Sequence, residues 1–232
     1  MEVIYHMIIV KQSGTPVTGK VYIGNTHTAI QNAINYANSQ SGGVVFIEKG
    51  VYTISTPLEM YSDIELCGEG IHTVLKSAVA ASGTNAVIRC VGTSSVKKKN
   101  MYIHDLLIGN NTDTAVGYYG IYCQHVGLAQ TTGLTSETYS RYNSATVGVT
   151  GENIIGVTIE NCVIQYNNNI SIRLDPSNHN NTITGNTIQN NNGNGISLDS
   201  SNNNTITGNT VQNNNNYGIR LESSSNNNTI TG

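Results

Sequence analysis

Asn181-Thr182-Ile183-Thr184-Gly185-Asn186-Thr187-Ile188-Gln189-Asn190 returns as Asn204-Thr205-Ile206-Thr207-Gly208-Asn209-Thr210-Val211-Gln212-Asn213, and begins again at Asn228-Thr229-Ile230-Thr231-Gly232. Ile183, Ile206 and Ile230 stand 23 and 24 residues apart. A period in this range signals stacked repeats. The first full repeat holds short runs, Thr-Ile-Thr, Thr-Ile-Gln and Gly-Ile-Ser-Leu, separated by Asn and Gly, and the second answers with Thr-Ile-Thr, Thr-Val-Gln and Gly-Ile-Arg-Leu. Apolar–polar alternation is a strand signal, and Asn/Gly clusters are turn signals. Three short strands per repeat make one rung of a parallel β-helix. The predicted fold is therefore all-β, a single-stranded parallel β-helix.

The same period reaches back along the chain. Val157–Ile164 aligns with the first strands of the Asn181 repeat, Ile159 lying 24 residues before Ile183. Met101–Ile108 aligns one rung earlier, although Ile103 and Ile159 are 56 residues apart, which is one rung plus an insertion. Asp63–Gly68 followed by Thr73–Leu75 gives another rung. Val44–Ile47 with Val51–Ile54 gives the first. The insertion, Gly127–Glu152, is rich in Gly, Ser and Thr, and loops of that length in compact domains are usually functional or disordered. Thr28–Asn38 predicts a helix, since Ile30, Ala33, Ile34 and Ala37 share one face. Thr26 or Thr28 is its candidate N-cap and Gly42-Gly43 its stop. A solenoid needs a cap over its apolar end, and this helix is placed to be one. The predicted organisation is one domain over residues 1–232: an N-terminal segment and capping helix (1–43), early rungs (44–125), a long loop insertion (126–152) and regular rungs (153–232). The last rung holds only its first strand, so the chain is either a fragment or has an uncapped end that invites end-to-end self-association.

Only 11% of residues are charged and the net charge is −3. That argues against nucleic acid as a partner. Lys97-Lys98-Lys99 is the only basic run and reads as a solvated loop. Met7-Ile8-Ile9-Val10 is too short to span a membrane, and neither it nor its flanks resemble a signal peptide. Four cysteines, Cys67, Cys90, Cys123 and Cys162, lack metal-type spacing. Cys90 and Cys123 fall at matching strand positions, where later rungs carry Leu174, Leu198 and Leu221. Buried reduced thiols are the expected state. Asn181, Asn204 and Asn228, and likewise Asn186 and Asn209, recur one rung apart. Such stacks support hydrogen-bonded ladders along the axis.

Ala29–Leu75 carries a helix, then Gly42-Gly43-Val44-Val45-Phe46-Ile47, Gly50-Val51-Tyr52, Leu66-Cys67-Gly68-Glu69-Gly70 and Thr73-Val74-Leu75. This segment resembles the opening of pectate-lyase-superfamily right-handed parallel β-helix proteins. The tail resembles the β-helix repeats of carbohydrate-binding and sugar-hydrolase proteins. The resemblance implies the fold and an active site on an equivalent strand face. It does not imply one activity, because the superfamily holds lyases, polygalacturonases, epimerases, tailspikes and non-catalytic members. Tyr119–His125 is similar to the Tyr-Gly-Phe-Asp-Pro-His stretch of alginate epimerases, but Tyr122 replaces the Asp and His125 lies one place late.

On the third strand of each rung, Arg89, Tyr122, Arg173, Ser197 and Arg220 point outward. Asp175, Asp199 and Glu222 follow in the next outward position, about 4.8 Å apart from rung to rung. Stacked carboxylates either raise one member's pKa or hold a cation such as Ca²⁺. Asp175, Asp199 and Arg173 are the candidate catalytic residues. Tyr122, His125, Arg220 and Glu222 are the candidate substrate-binding residues, with His125 a general base or, with Tyr122, a stacking surface. Asp175, Asp199 and Glu222 are the candidate ligands if Ca²⁺ is bound; no other cofactor is expected. Flanking arginines suit a uronate carboxylate. The expected function is binding, with cleavage or modification, of an acidic polysaccharide by an extracellular or cell-surface protein. The alternative is a non-catalytic spike, adhesin or surface-layer spacer.

Overall fold

A computed structural model describes residues 7–80, 82–93, 96–109, 118–126 and 156–232. In them the repeat becomes a coil of stacked parallel strands. The first-strand sheet holds, rung by rung, Met7–Lys11, Gly43–Ile47, Ile64–Ser77, Met101–Gly109, Val157–Glu160, Thr182–Thr184, Thr205–Thr207 and Thr229–Thr231. Second strands, among them Gly50–Ile54, Val163–Gln165, Thr187–Gln189 and Thr210–Gln212, stack beside the far halves of the two long strands. The third-strand sheet runs Leu58–Glu59, Ala86–Val91, Tyr119–Gln124, Ile172–Leu174, Ile196–Asp199 and Ile219–Glu222.

Alternation decides what faces inward. Val45, Leu66, Ile103, Ile159, Ile183 and Ile206 stand in register and are almost wholly buried. Tyr52, Leu75, Ile108, Ile164 and Ile188 form a second buried column. Leu58, Ile88, Ile121, Ile172 and Ile196 form a third. Each such side chain contributes about 1.5–3 kcal/mol on burial. Cys90 pairs in register with Cys123, and Cys123 with Leu174 and onward to Leu198, as expected; all four thiols are free and buried. Further along these columns Leu221 and Ile230 are exposed.

Asparagines turn the corners. Asn180, Asn203 and Asn227 take left-handed φ values of 56°, 58° and 55°, a conformation Asn tolerates well. The next residue in each rung turns inward. The Asn181 carboxamide donates to Asn204 Oδ1 (2.8 Å), and Asn204 to Asn228 Oδ1 (3.0 Å). Asn186 donates to Asn209 (2.9 Å). A row absent from the sequence reading links Asn167 to Asn191 (3.1 Å) and Asn191 to Asn214 (2.9 Å). Each acceptor also takes a backbone N–H of the preceding rung. These bonds satisfy polar groups that the corner buries.

The helix α1 spans His27–Ser39 and buries Ala29, Ile30, Ala33, Ile34 and Ala37. It packs on the first rungs, including Met7–Lys11 and Gly43–Ile47. Thr26 is the N-cap residue by position. Gly42, at φ 127°, comes so close to Asp63 that a Cβ there would lie 2.4 Å from the Asp63 carbonyl oxygen. Met7–Lys11, read from sequence only as a short apolar run, is a strand that extends the first-strand sheet beyond Gly43–Ile47 and pairs with Val21–Ile23. The insertion Gly127–Glu152 lies outside the described residues. Among the described residues no helix is long and apolar enough to cross a membrane.

The lysine run departs from the sequence expectation. Lys99 is 4% exposed, with Nζ 3.4 Å from Asp63 Oδ1. Lys98 lies 4.9 Å over the Tyr61 ring and donates to the Met60 carbonyl. The run stitches one rung to the next because the rung before it offers a carboxylate, a ring and a free carbonyl.

Candidate functional site

The predicted third-strand face forms in register: Arg89, Tyr122, Arg173, Ser197 and Arg220 occupy one row. Asp199 pairs with Glu222, and Asp175 follows Leu174 one rung earlier. The groups on this face bind one another. Asp175 accepts from Arg173 Nε and, at 2.5 Å, from the Tyr122 hydroxyl. Glu222 lies 3.3 Å from Arg220 Nε and accepts from Ser197 Oγ at 3.1 Å. Asp199 accepts from Ser200 Oγ at 3.1 Å. Arg89 pairs with Glu59 at 3.2 Å.

Tyr122 is outward in register but 2% exposed, packed with Tyr119, Ile170 and Ala86. It therefore presents no open ring for stacking. Burial first, and then the bond to Asp175, push its phenol well above the usual range, so it stays protonated. The exposed ring of this face is Tyr217, with the Arg220 guanidinium 5.3 Å above it. His125 sits at a left-handed corner (φ 54°), its Nδ1 3.1 Å from Lys97 Nζ. Burial and the Lys97 charge hold its pKa below the usual value. It is thus neutral near pH 7, as a general base must be.

The three carboxylates do not converge on a common point. Among the described residues, the group of three His, Cys, Asp or Glu side chains whose ligand atoms all lie within 4.8 Å is Glu65, Cys67 and His104. It sits on the outer face of the first-strand sheet. His104 Nε2 is 3.1 Å from Glu65 Oε1, and Nδ1 is 2.7 Å from Asp105 Oδ2. The left-handed corner at Asp105 (φ 53°) turns its carboxylate back toward the ring. Tyr102 stacks on His104, centroids 4.1 Å apart, and gives its hydroxyl to Glu160. Burial, then Glu65, push the Cys67 thiol up to about 12. A groove of about 640 Å³ adjoins this cluster, lined by Val44, Asp63, Glu65, Asn100, Tyr102 and Thr158 among others. The candidate residues read from the sequence lie on the third strand, whereas this cluster lies on the outward side of the first. The signal was present: aligning Leu66 with Ile103 places Glu65 beside Tyr102 and Cys67 beside His104.

A family model described as rhamnogalacturonase A/epimerase, pectate lyase-like, matches residues 10–220. No curated protein matches the chain. Among solved structures, ORF18 of Geobacillus virus E2 is similar over 88% of this chain and 37% of its own, at 18% identity and a TM-score of 0.59. The A-module of the Azotobacter vinelandii mannuronan C-5 epimerase AlgE4 is matched over 83% of this chain and 55% of its own, at 18% identity and a TM-score of 0.49. The tailspike gp49 of Acinetobacter baumannii bacteriophage Fri1, a capsular polysaccharide depolymerase, is matched over 99% and 50%, at 15% identity and a TM-score of 0.42. The chain thus spans only about a third to a half of the length of these structures.

Proposed function

The chain belongs to the rhamnogalacturonase A/epimerase, pectate lyase-like family, and from that premise we propose that it is a carbohydrate-active β-helix that binds an acidic polysaccharide along its third-strand face. The observation that carries this reading is the register row of Arg89, Arg173 and Arg220 on one outer surface. Rungs repeat about every 4.8 Å and the arginines stand on every second rung, so guanidinium groups recur about every 9.6 Å along the coil, a regular row that can meet the carboxylates recurring along a uronate polymer. Each can form two parallel hydrogen bonds to a carboxylate. Tyr217 offers a ring for a sugar face, and His125 and Glu222 flank the path. If the bound sugar is turned over, Asp175 and Asp199 transfer protons while Arg173 holds the substrate carboxylate. Calcium shared by Asp175, Asp199 and Glu222 is not part of this reading, since the three do not converge. Such polymers lie outside cells, which makes the protein extracellular or surface-attached.

A second reading, a non-catalytic spacer, is favoured by the pairing of Asp175 with Arg173 and of Glu222 with Arg220. Titration of the purified chain with a panel of uronate polysaccharides, with and without Ca²⁺, separates the two. Binding that weakens with salt and vanishes in the Asp175→Asn, Arg173→Ala double variant supports the first. Absence of binding to every uronate polymer leaves the spacer.

A further inference from the structure

We propose that Glu65, Cys67 and His104 form a site for a divalent transition metal of the zinc type, at the edge of the groove on the first-strand face. The proposal is independent of the polysaccharide reading, which concerns another sheet. Glu65 and Cys67 are two apart on one strand and so share a face. Their register partners on the next strand are Tyr102 and His104. The fold therefore delivers a carboxylate, a thiol and an imidazole to one place, with ligand atoms within 4.8 Å of one another.

The geometry needs little change to close on an ion. Zinc holds sulfur, nitrogen and oxygen at about 2.0–2.3 Å in a tetrahedron. His104 is already aimed. In the tautomer that gives Nδ1–H to Asp105 at 2.7 Å, the Nε2 lone pair faces Glu65 Oε1 at 3.1 Å. Two acceptors then face each other across a space that a cation fills. A carboxylate behind a ligating histidine is the usual support of a zinc ligand. The Tyr102 ring, stacked at 4.1 Å, keeps the imidazole from swinging away. A thiolate in the set selects Zn²⁺ or Co²⁺ over Ca²⁺ and Mg²⁺, which prefer oxygen alone. Glu65 also lines the groove, so the fourth position faces it and is left to water or to an oxygen of a bound molecule. That is the layout of an open zinc site, in contrast to closed four-ligand structural sites.

Co²⁺ is the probe, because its bond to a thiolate absorbs in the near ultraviolet. The purified full chain should bind one equivalent with a thiolate-to-cobalt charge-transfer band, and Zn²⁺ should displace it. Asp105→Asn should weaken binding roughly ten- to hundredfold, as loss of a supporting carboxylate does. Cys67→Ser and His104→Gln should weaken it further, Cys67→Ser removing the band altogether. Cys162→Ala should leave the band unchanged. Far-ultraviolet circular dichroism verifies each fold, and should Cys67→Ser fail to fold, Glu65→Gln and His104→Gln decide. No charge-transfer band at stoichiometric Co²⁺, or unchanged affinity in folded His104→Gln, overturns the proposal.

Discussion

The first-strand sheet presents two different outer faces along one coil. In the later rungs Thr158, Thr182, Thr205 and Thr229 follow one another in register, with Thr184, Thr207 and Thr231 beside them. In the earlier rungs the same two columns read Val44, Glu65, Tyr102 and Phe46, Cys67, His104. The inner faces do not differ, for each rung from Val45 to Ile206 offers an aliphatic side chain to the core. Inner positions answer to packing wherever they are. Outer positions of the copied rungs answer to the neighbouring rung, and β-branched threonine suits a pleated surface. Where the chain abandons threonine, its outer groups engage one another, as Glu65, His104 and Asp105 do. The strand carrying Glu65 and Cys67 also breaks register between Cys67 and Gly70 and again before Val74, and such irregularities gather beside functional sites.

If the two regions share one core, truncating it should cost the same in both. Ile103→Ala and Ile183→Ala should each lose about 2–5 kcal/mol in chemical denaturation. A clear difference between them would break the comparison at its foundation. The corner rows come next. Asn204→Ala strands the buried Asn181 N–H and should cost about 1–3 kcal/mol, whereas Thr182→Ser on the outer face should stay within about 0.5 kcal/mol.

A pH effect should mark the junction between the regions. His179 is buried, and burial and then Lys97 lower its pKa; the same causes act on the more exposed His125. A histidine with a lowered folded pKa binds fewer protons folded than unfolded, so its contribution is present above the unfolded value of about 6.5 and lost as pH falls through the folded one. The melting temperature should therefore drop below pH 6.5, and less steeply in His179→Gln. The smallest change is chemical. Cys162, pushed up to about 12 mainly by burial, and the Cys90–Cys123 pair should alkylate only on denaturation. Recovery of a Cys90–Cys123 disulfide peptide from native protein would contradict the buried, reduced state.

The repeat made most of the coil legible. A fixed period placed Ile103, Ile159 and Ile183 in one column, and Cys90, Cys123 and Leu174 in another. Met7–Lys11 escapes because it carries no copy of the repeat and lies before Gly43–Ile47, which reads as the first rung. Lys99 escaped because three adjacent lysines say nothing of a carboxylate that lies 36 residues earlier. Tyr122 was placed on the correct face, but its burial comes from Tyr119 and Ile170, whose approach the period does not encode. Glu65, Cys67 and His104 lie within reach of the same alignment, on the outward side of the first strand.

The insertion after Val126 bears on how the coil winds up. Between copied rungs every contact closes a short stretch of chain: Asn181 meets Asn204 across 23 residues. Across the one joint that the insertion interrupts, Tyr102 reaches Glu160 over 58 residues and Tyr122 reaches Asp175 over 53. Doubling a closed length adds only about 0.6 kcal/mol of entropy at equilibrium. Kinetically it matters more, because non-local contacts must form before they repay that loss. Rungs on either side can nucleate and propagate independently. Docking of the Met101–Gly109 rung onto Val157–Glu160 is then expected to be the slow step of refolding, at which two separately wound halves join into a single cooperative unit.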